Sequence, residues 1–230
     1  MKVALCLSGR PRMCKEGFEY HKRNLLDEHD VNVFIHSWQD IDNDDFQFID
    51  YNYDPVSISL SHTFDDRSFE KYSVDHPNWP PKNAIHMMYS VFKANELKRE
   101  YELEKGFTYD IVIRSRFDFA LNRKIDFSVE PGKIYVPNDY IKGRIEPNGL
   151  ICNDQFAVGD SPTIDLYSNT FWNIDRAASL GAPIIGEDLL SVNLQIAGVV
   201  KERMVYIDMN HPFPPGKYNN TPHSLLRDDL

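Results

Sequence analysis

The chain has 230 residues and a formal net charge of −10, which argues against a nucleic-acid-binding surface because phosphate contacts need clustered lysine and arginine. Its three cysteines form no C-x-x-C pair, so the sequence supports neither a disulfide framework nor a zinc site and fits a reducing cytoplasm. No apolar stretch approaches the ~18 residues that a membrane-spanning helix needs, so we expect no membrane span.

The first quarter of the chain predicts a β-α-β opening. Residues 3–7 form a continuous apolar run typical of a buried parallel strand, residues 16–26 can form a helix, and residues 31–36 are predicted as a second strand. The acidic segment 40–54 is interpreted as a solvated loop, because its spacing does not match a calcium-binding loop. Residues 56–60 alternate between apolar and polar side chains, which predicts a third strand.

A long helix and a buried strand are predicted in the middle of the chain. Residues 63–82 contain a proline-rich run and are expected to form an ordered loop with little regular structure. Asn83 is expected to cap a helix that runs to about residue 101, with apolar side chains at positions i, i+3, i+4 and i+7. Residues 109–113 are predicted as a strand that leads directly into the polar run Arg114-Ser115-Arg116-Phe117-Asp118.

The second half of the chain predicts further strands and two helices. Strands are predicted at residues 133–136, 155–158 and 204–207. Asp160-Ser161-Pro162 is typical of a helix start, and this helix is expected to continue through Ile174. Another helix is predicted at residues 187–197, ended by Gly198, and the chain from residue 211 is predicted as coil. The order of elements therefore predicts one α/β domain with a mixed, mostly parallel sheet flanked by helices.

Several common catalytic motifs are absent from the sequence. There is no G-x-x-x-x-G-K-[ST] phosphate loop and no G-x-G-x-x-G, so the sequence does not support an ATPase or a Rossmann dehydrogenase. The G-x-S-x-G elbow of serine hydrolases and the H-E-x-x-H zinc motif are also absent. The remaining candidates are polar clusters at the carboxyl ends of predicted strands, where open α/β sheets bind ligands.

The first cluster follows the strand predicted at residues 3–7. It consists of Ser8, Gly9, Arg10 and Arg12. A glycine here lets the backbone approach a ligand closely, and the two arginines offer bidentate donors to a phosphate. A plain turn after the strand explains the same residues, so both interpretations stay open.

The second cluster follows the strand predicted at residues 109–113. It consists of Arg114, Arg116 and Asp118. Charged side chains at the end of a buried strand are unfavourable unless they meet a ligand, a metal or each other. One interpretation is a buried Arg–Asp ion pair that braces the sheet. The other places Asp118 on a divalent cation and the arginines near a diphosphate.

Two further clusters contain carboxylates. Asp154 and Gln155 follow Asn153 immediately before a predicted strand, where Asn-Asp is also ordinary turn chemistry. Glu187 and Asp188 lie in the first turn of a predicted helix, where the helix dipole alone favours acidic residues.

The element order and these clusters resemble the GT-A class of nucleotide-sugar glycosyltransferases, especially its small viral and bacterial members. Those proteins open with a strand that ends in Ser-Gly and place a D-x-D motif after a central strand. Here Arg116-Phe117-Asp118 takes the place of D-x-D, with Arg116 where the family has its first Asp. The resemblance implies a single GT-A-like, Rossmann-like domain with a nucleotide-binding half at residues 1–120, an acceptor and catalytic half at residues 121–210, and a coil tail at residues 211–230.

The resemblance also implies an activity, the transfer of a sugar from a nucleoside-diphosphate sugar to a hydroxyl of a glycan or polysaccharide acceptor. The residues that would contact these substrates are Ser8, Gly9, Arg10, Arg12, Arg114, Arg116, Gln155 and Trp79. A carboxylate must accept the proton of the attacking hydroxyl, and Asp154, Glu187 and Asp188 all qualify.

The resemblance further implies a divalent metal, Mn²⁺ or Mg²⁺, bound by Asp118 and a late histidine, for which His211 is the candidate. Arg116 offers an alternative, because it supplies positive charge in the metal's place.

Two other functions stay open. Arg116 in place of an acid favours a binding module that kept the fold and lost the chemistry, and a nucleotidyltransferase would need a glycine-rich triphosphate loop near the first strand.

Overall fold

The computed structural model describes residues 1–64, 71–72, 80–121, 124, 128–137 and 152–207, and within them seven strands form one sheet. The strands are β1 (Val3–Ser8), β2 (Val31–Trp38), β3 (Ser57–Ser61), β4 (Ile111–Ser115), β5 (Ile134–Pro137), β6 (Phe156–Gly159) and β7 (Met204–Ile207). The α-helices of the described residues are α1 (Cys14–His21), α2 (Asn43–Tyr53), α3 (Pro81–Lys105), α4 (Ser161–Ser168), α5 (Ile174–Ser179) and α6 (Gly186–Ile196). A π-helical turn extends α1, and 3-10 turns follow α4 and precede β7.

The strand order is β3-β2-β1-β4-β6-β5-β7. β1 pairs in parallel with β2 and β4, β2 pairs in parallel with β3, and β5 pairs in parallel with β7. β6 is antiparallel to both of its neighbours, β4 and β5. The prediction of an α/β fold with a mixed, mostly parallel sheet flanked by helices is confirmed. Since the chain moves from β1 outward to β3 and then returns through α3 to the other side of β1, the strand order reverses between β1 and β4.

Apolar side chains cover both faces of the central strands, as expected for buried parallel strands. Val3, Leu5 and Leu7 of β1 pack in one core with side chains of α1 and α2. Ala4 and Cys6 pack in the other core with side chains of α3, α4 and α6. The helices therefore enclose β1 and β4 from both sides and leave their carboxyl ends at one edge of the sheet.

The acidic segment 40–54 is a helix rather than the predicted loop, so that prediction is wrong. Asp42 caps α2 by accepting a hydrogen bond from the backbone N–H of Asp44 at 2.8 Å. Ile49 and Tyr53 of the same helix are buried against the sheet. The acidic residues thus stabilise the amino end of an amphipathic helix, where the dipole favours negative charge.

Two predicted helices differ from the observed ones at their ends. α3 begins at Pro81 without a side-chain cap, so Asn83 is inside the helix and the predicted cap is wrong. Asp160 does cap α4, through the N–H of Thr163, but this helix ends at Ser168 and changes to a 3-10 turn before α5.

All three cysteines are free and buried. Burial raises the pKa of the Cys6 and Cys14 thiols to about 12, and at Cys14 the neighbouring Asp45 carboxylate adds to the effect. Burial also raises the pKa of Cys152. These thiols are accordingly unreactive in the folded protein.

No helix among the described residues has both the length and the apolar character that crossing a bilayer requires.

Candidate functional site

The carboxyl ends of β1 and β4 lie side by side, with Leu7 in register with Ser115. Gly9 follows β1 with a φ of +106°, a backbone conformation that side-chain-bearing residues rarely adopt, and its N–H donates to the carbonyl of His36. This is the point where the strand order reverses, and in open α/β sheets the crevice at such a point is the usual place for a ligand. Ser8 and Gly9 of the first predicted cluster therefore lie beside the second cluster at this crevice.

Arg116 and Asp118 form a bidentate ion pair in this crevice. The Arg116 Nε donates to Asp118 Oδ1 at 2.8 Å, and a terminal nitrogen donates to Oδ2 at 2.6 Å. Asp118 is 4% exposed. Burial opposes the charged form of Arg116, but the nearby carboxylates, Asp118 foremost, together outweigh it and raise the pKa of the guanidinium. The ion-pair interpretation of this cluster is thus seen in the structure, at Arg116 rather than at Arg114.

Arg114 is a buried cation with no hydrogen-bond partner among the described residues. Its side chain is 1% exposed, and the unpaired atoms are all three guanidinium nitrogens. Burial lowers the pKa of Arg114, and the nearby Asp154 carboxylate offsets part of this effect. Burying an arginine guanidinium without hydrogen-bond partners is unfavourable.

The third predicted cluster joins the second at the start of β6. The Asn153 side chain accepts hydrogen bonds from the backbone N–H groups of Gln155 and Phe156, which confirms the turn interpretation for this residue. The carbonyl of Gln155 accepts from the N–H of Arg116 at 3.2 Å, which links the start of β6 to the end of β4. The buried Gln155 Oε1 has no hydrogen-bond partner within the described part of the chain.

The amino end of α6 brings the fourth cluster to the same place. A Cβ added at Gly186, the first residue of α6, would overlap the carboxylate of Asp154, so this carboxylate packs directly against the helix start. Asp154 and Glu187 both contribute to the electrostatic environment of Arg116. Asp188 is 5% exposed in the same helical turn. Three carboxylates, from Asp118, Asp154 and Glu187, therefore share the surroundings of the two arginines.

Arg10 and Arg12 line a neighbouring pocket rather than the crevice at the carboxyl ends of β1 and β4. The pocket has a volume of about 280 Å³ and lies at the carboxyl ends of β1 and β2. Arg10 forms an ion pair with Asp40 at 2.7 Å, and the hydrogen bond from Arg10 lowers the pKa of that carboxyl. Ser37 and Trp38 also line the pocket. The sequence prediction did not name Ser37, although its position at the end of a predicted strand was a signal that could have identified it.

Helix α1 packs directly on the turn that carries Asp118. A Cβ added at Gly17 would overlap the carbonyl oxygen of Phe117 and lie 2.9 Å from its carbonyl carbon. His21 of the same helix shares hydrogen bonds with the Ser115 hydroxyl at 3.2 Å and the Tyr53 hydroxyl at 2.8 Å. These contacts hold the end of β4 and the following turn in place. Sequence reasoning missed Gly17 and His21, because neither belongs to a motif.

The stability of the protein is expected to fall with pH below neutrality because of His21. Burial lowers its pKa from 6.5 to about 4, so between these values the unfolded chain binds a proton that the folded chain does not. For each unit by which the pH falls in this range, the protonation of His21 in the unfolded chain therefore lowers the free energy of unfolding by up to about 1.4 kcal/mol. Urea unfolding across the range should give a shallower pH dependence for His21→Gln than for wild type. His36, whose pKa burial lowers to about 3, is expected to contribute to the slope that remains.

Equal pH slopes for wild type and His21→Gln would contradict this prediction.

Trp79 and His211 lie outside the described residues. Of the predicted metal ligands only Asp118 is described, and both of its carboxylate oxygens accept hydrogen bonds from Arg116. Within the described ranges no group of three or more His, Cys, Asp or Glu side chains is arranged to hold a metal ion. The predicted divalent metal stays a prediction.

Comparison with known proteins adds no assignment, since neither a scan against protein-family models nor a search of curated proteins found a match to this chain.

Proposed function

We propose that this protein transfers a sugar from a nucleoside-diphosphate sugar to a hydroxyl of a glycan or polysaccharide acceptor, on a GT-A-like fold. The observation that carries the proposal is the buried guanidinium of Arg114, which has no hydrogen-bond partner among the described residues. It lies beside Arg116 and beside carboxylates, at the point where the strand order reverses. A ligand with a strongly anionic part and a neutral part with hydroxyl groups matches this combination of charges.

The transfer reaction requires both cationic and carboxylate side chains. The acceptor oxygen forms a bond to the anomeric carbon as the bond from that carbon to the diphosphate breaks, and the electron pair leaves with the diphosphate. Arginines stabilise the negative charge that develops on this leaving group. The acceptor hydroxyl loses its proton to a carboxylate, for which Asp154 and Glu187 are the best-placed candidates, with Asp188 in the same turn. The pocket beside Arg10 and Arg12 is of a size to receive the nucleoside.

Calorimetric titration with UDP, GDP, ADP and CDP tests the binding half of the proposal. We expect wild type to bind at least one of them and to release sugar slowly from the matching sugar nucleotide. Asp154→Asn and Glu187→Gln should retain nucleotide binding, and at least one of them should lower turnover tenfold or more. Glu100→Gln, an exposed residue of α3, is the matched control and should keep full activity. A chain that binds none of the four nucleotides would refute the proposal.

A binding module without catalysis is the second candidate. The ion pair between Arg116 and Asp118 favours it, because this pair occupies the carboxylate that the resemblance assigns to the divalent metal. Donor turnover separates the two functions. Tight nucleotide binding with no sugar release from any bound donor, in the presence of a range of glycan acceptors, would support the binding module.

A further inference from the structure

Asp118 does not fit the role of a metal ligand in the observed arrangement. A carboxylate that binds Mn²⁺ or Mg²⁺ directs an oxygen lone pair at the ion. Here each oxygen of Asp118 accepts a hydrogen bond from the Arg116 guanidinium, at 2.8 and 2.6 Å. A divalent cation on this carboxylate would lie within a few ångströms of that guanidinium, where the repulsion between the two charges is strong.

We propose that the guanidinium groups of Arg114 and Arg116, rather than a divalent cation, hold the diphosphate of the donor. Asp118 is then a positioning residue that fixes the orientation of Arg116. This inference rests on the proposed function, because it names the groups that bind the anionic part of that substrate.

The two arginines retain the hydrogen-bonding capacity that this role needs. An arginine carries five N–H donors in a rigid planar fork that matches phosphate oxygens. The pair with Asp118 uses two donors of Arg116, and the guanidinium nitrogens of Arg114 have no partner in the described part of the chain. The Arg116 side chain is 28% exposed, so a ligand can reach it from the crevice.

The proximity of the two arginines supports the same role. Burial lowers the pKa of Arg114, and the like charge of Arg116 lowers it further, as expected from the repulsion between two neighbouring cations. Asp118 neutralises one of them through direct hydrogen bonds, and the other remains without a hydrogen-bonded carboxylate among the described residues. Binding of a diphosphate would relieve this repulsion and satisfy the buried donors.

The test measures nucleoside diphosphate binding by calorimetry in the presence of EDTA and, separately, of Mn²⁺ or Mg²⁺. For wild type we expect the same dissociation constant in all three conditions, to within about twofold. A dissociation constant at least tenfold weaker in EDTA would overturn the inference and leave the proposed function intact. Failure to bind in all three conditions would instead overturn the proposed function.

Arg116→Asp restores the acid at the first position of the D-x-D pattern and sharpens the test. This variant is expected to bind nucleotide weakly in EDTA and to regain affinity when Mn²⁺ is added. Arg116→Lys keeps the charge but loses the fork, so it should bind about tenfold more weakly than wild type and remain insensitive to EDTA. Circular dichroism and urea unfolding establish that each variant is folded. Wild-type affinity of folded Arg116→Asp in EDTA would contradict the inference.

Discussion

Replacing Arg114 with methionine is expected to make the protein more stable and, at the same time, to weaken its binding of nucleoside diphosphates by about 100-fold or more. The guanidinium is fully buried and has no hydrogen-bond partner among the described residues, so it destabilises the fold in the absence of ligand. Methionine fills a similar volume with apolar atoms and removes this penalty. The variant would thus be more stable and yet bind nucleotide more weakly. Loss of a side chain that only supports the fold would not raise stability in this way.

The expected sizes follow from the chemistry of buried charges. Replacement of a buried charge by a well-packed apolar side chain stabilises by about 1–4 kcal/mol, measurable as a higher urea midpoint at an unchanged m-value. Two charge-assisted hydrogen bonds to a phosphate are worth about 1.5–3 kcal/mol each, so the dissociation constant should rise by about 100-fold or more.

Two variants serve as controls for this prediction. Arg114→Lys keeps the charge without the planar fork and should bind more weakly than wild type but more tightly than Arg114→Met. Arg23→Met changes an exposed arginine near α1 and should leave both stability and binding within error. A less stable Arg114→Met protein that still binds nucleotide would show that Arg114 braces the sheet and does not contact the ligand.

The substitution Gly17→Ala is expected to destabilise the protein, although the same substitution at an exposed interior position of a helix is stabilising. Alanine is favoured over glycine in a helix interior by about 1 kcal/mol. Here the new Cβ would overlap the carbonyl oxygen of Phe117, which is backbone and cannot rotate away. Overpacking of this kind costs about 1–3 kcal/mol, so the sign of the change in unfolding free energy reports the contact.

The same substitution is expected to weaken nucleotide binding, because the turn that Gly17 supports carries Asp118 and follows Arg116. Urea unfolding and calorimetry on Gly17→Ala measure the two effects. Glu19→Ala, at an exposed position of the same helix, is the control for helix propensity and should change neither quantity appreciably. A Gly17→Ala protein more stable than wild type would show that α1 does not press on this turn in solution.

The sheet could be predicted largely from the sequence because its central strands are short apolar runs. The predicted strands at residues 3–7 and 31–36 correspond to β1 and β2, each of which is one or two residues longer. Helix α2 could not be predicted in the same way. The segment 40–54 that contains it holds six aspartates, and a ring contact that packs the helix, between Tyr53 and Phe18, joins residues far apart in sequence.

The candidate site was predictable as a region but not as a set of contacts. Ligand sites were expected where strands end, and Arg116 follows such an end. Gln155 precedes a strand instead, and it meets Arg116 because β6 runs antiparallel to β4. The partner of each charge depends on the packing of side chains in three dimensions. Arg116 therefore pairs with Asp118 while Arg114 has no hydrogen-bond partner in the described ranges, and Arg10 pairs with Asp40 in a separate pocket.

The three buried thiols give the protein a set of internal chemical reporters. A thiol-specific reagent reacts with the thiolate, so each cysteine is modified only while the structure around it is open. Cys6 reports on the centre of the sheet, Cys14 on the start of α1, and Cys152 on the segment next to Asp154. Labelling rates followed by mass spectrometry would rank the opening free energies of these three regions in the unaltered chain. A bound nucleotide that closes the crevice should slow the labelling of Cys152 more than that of Cys6.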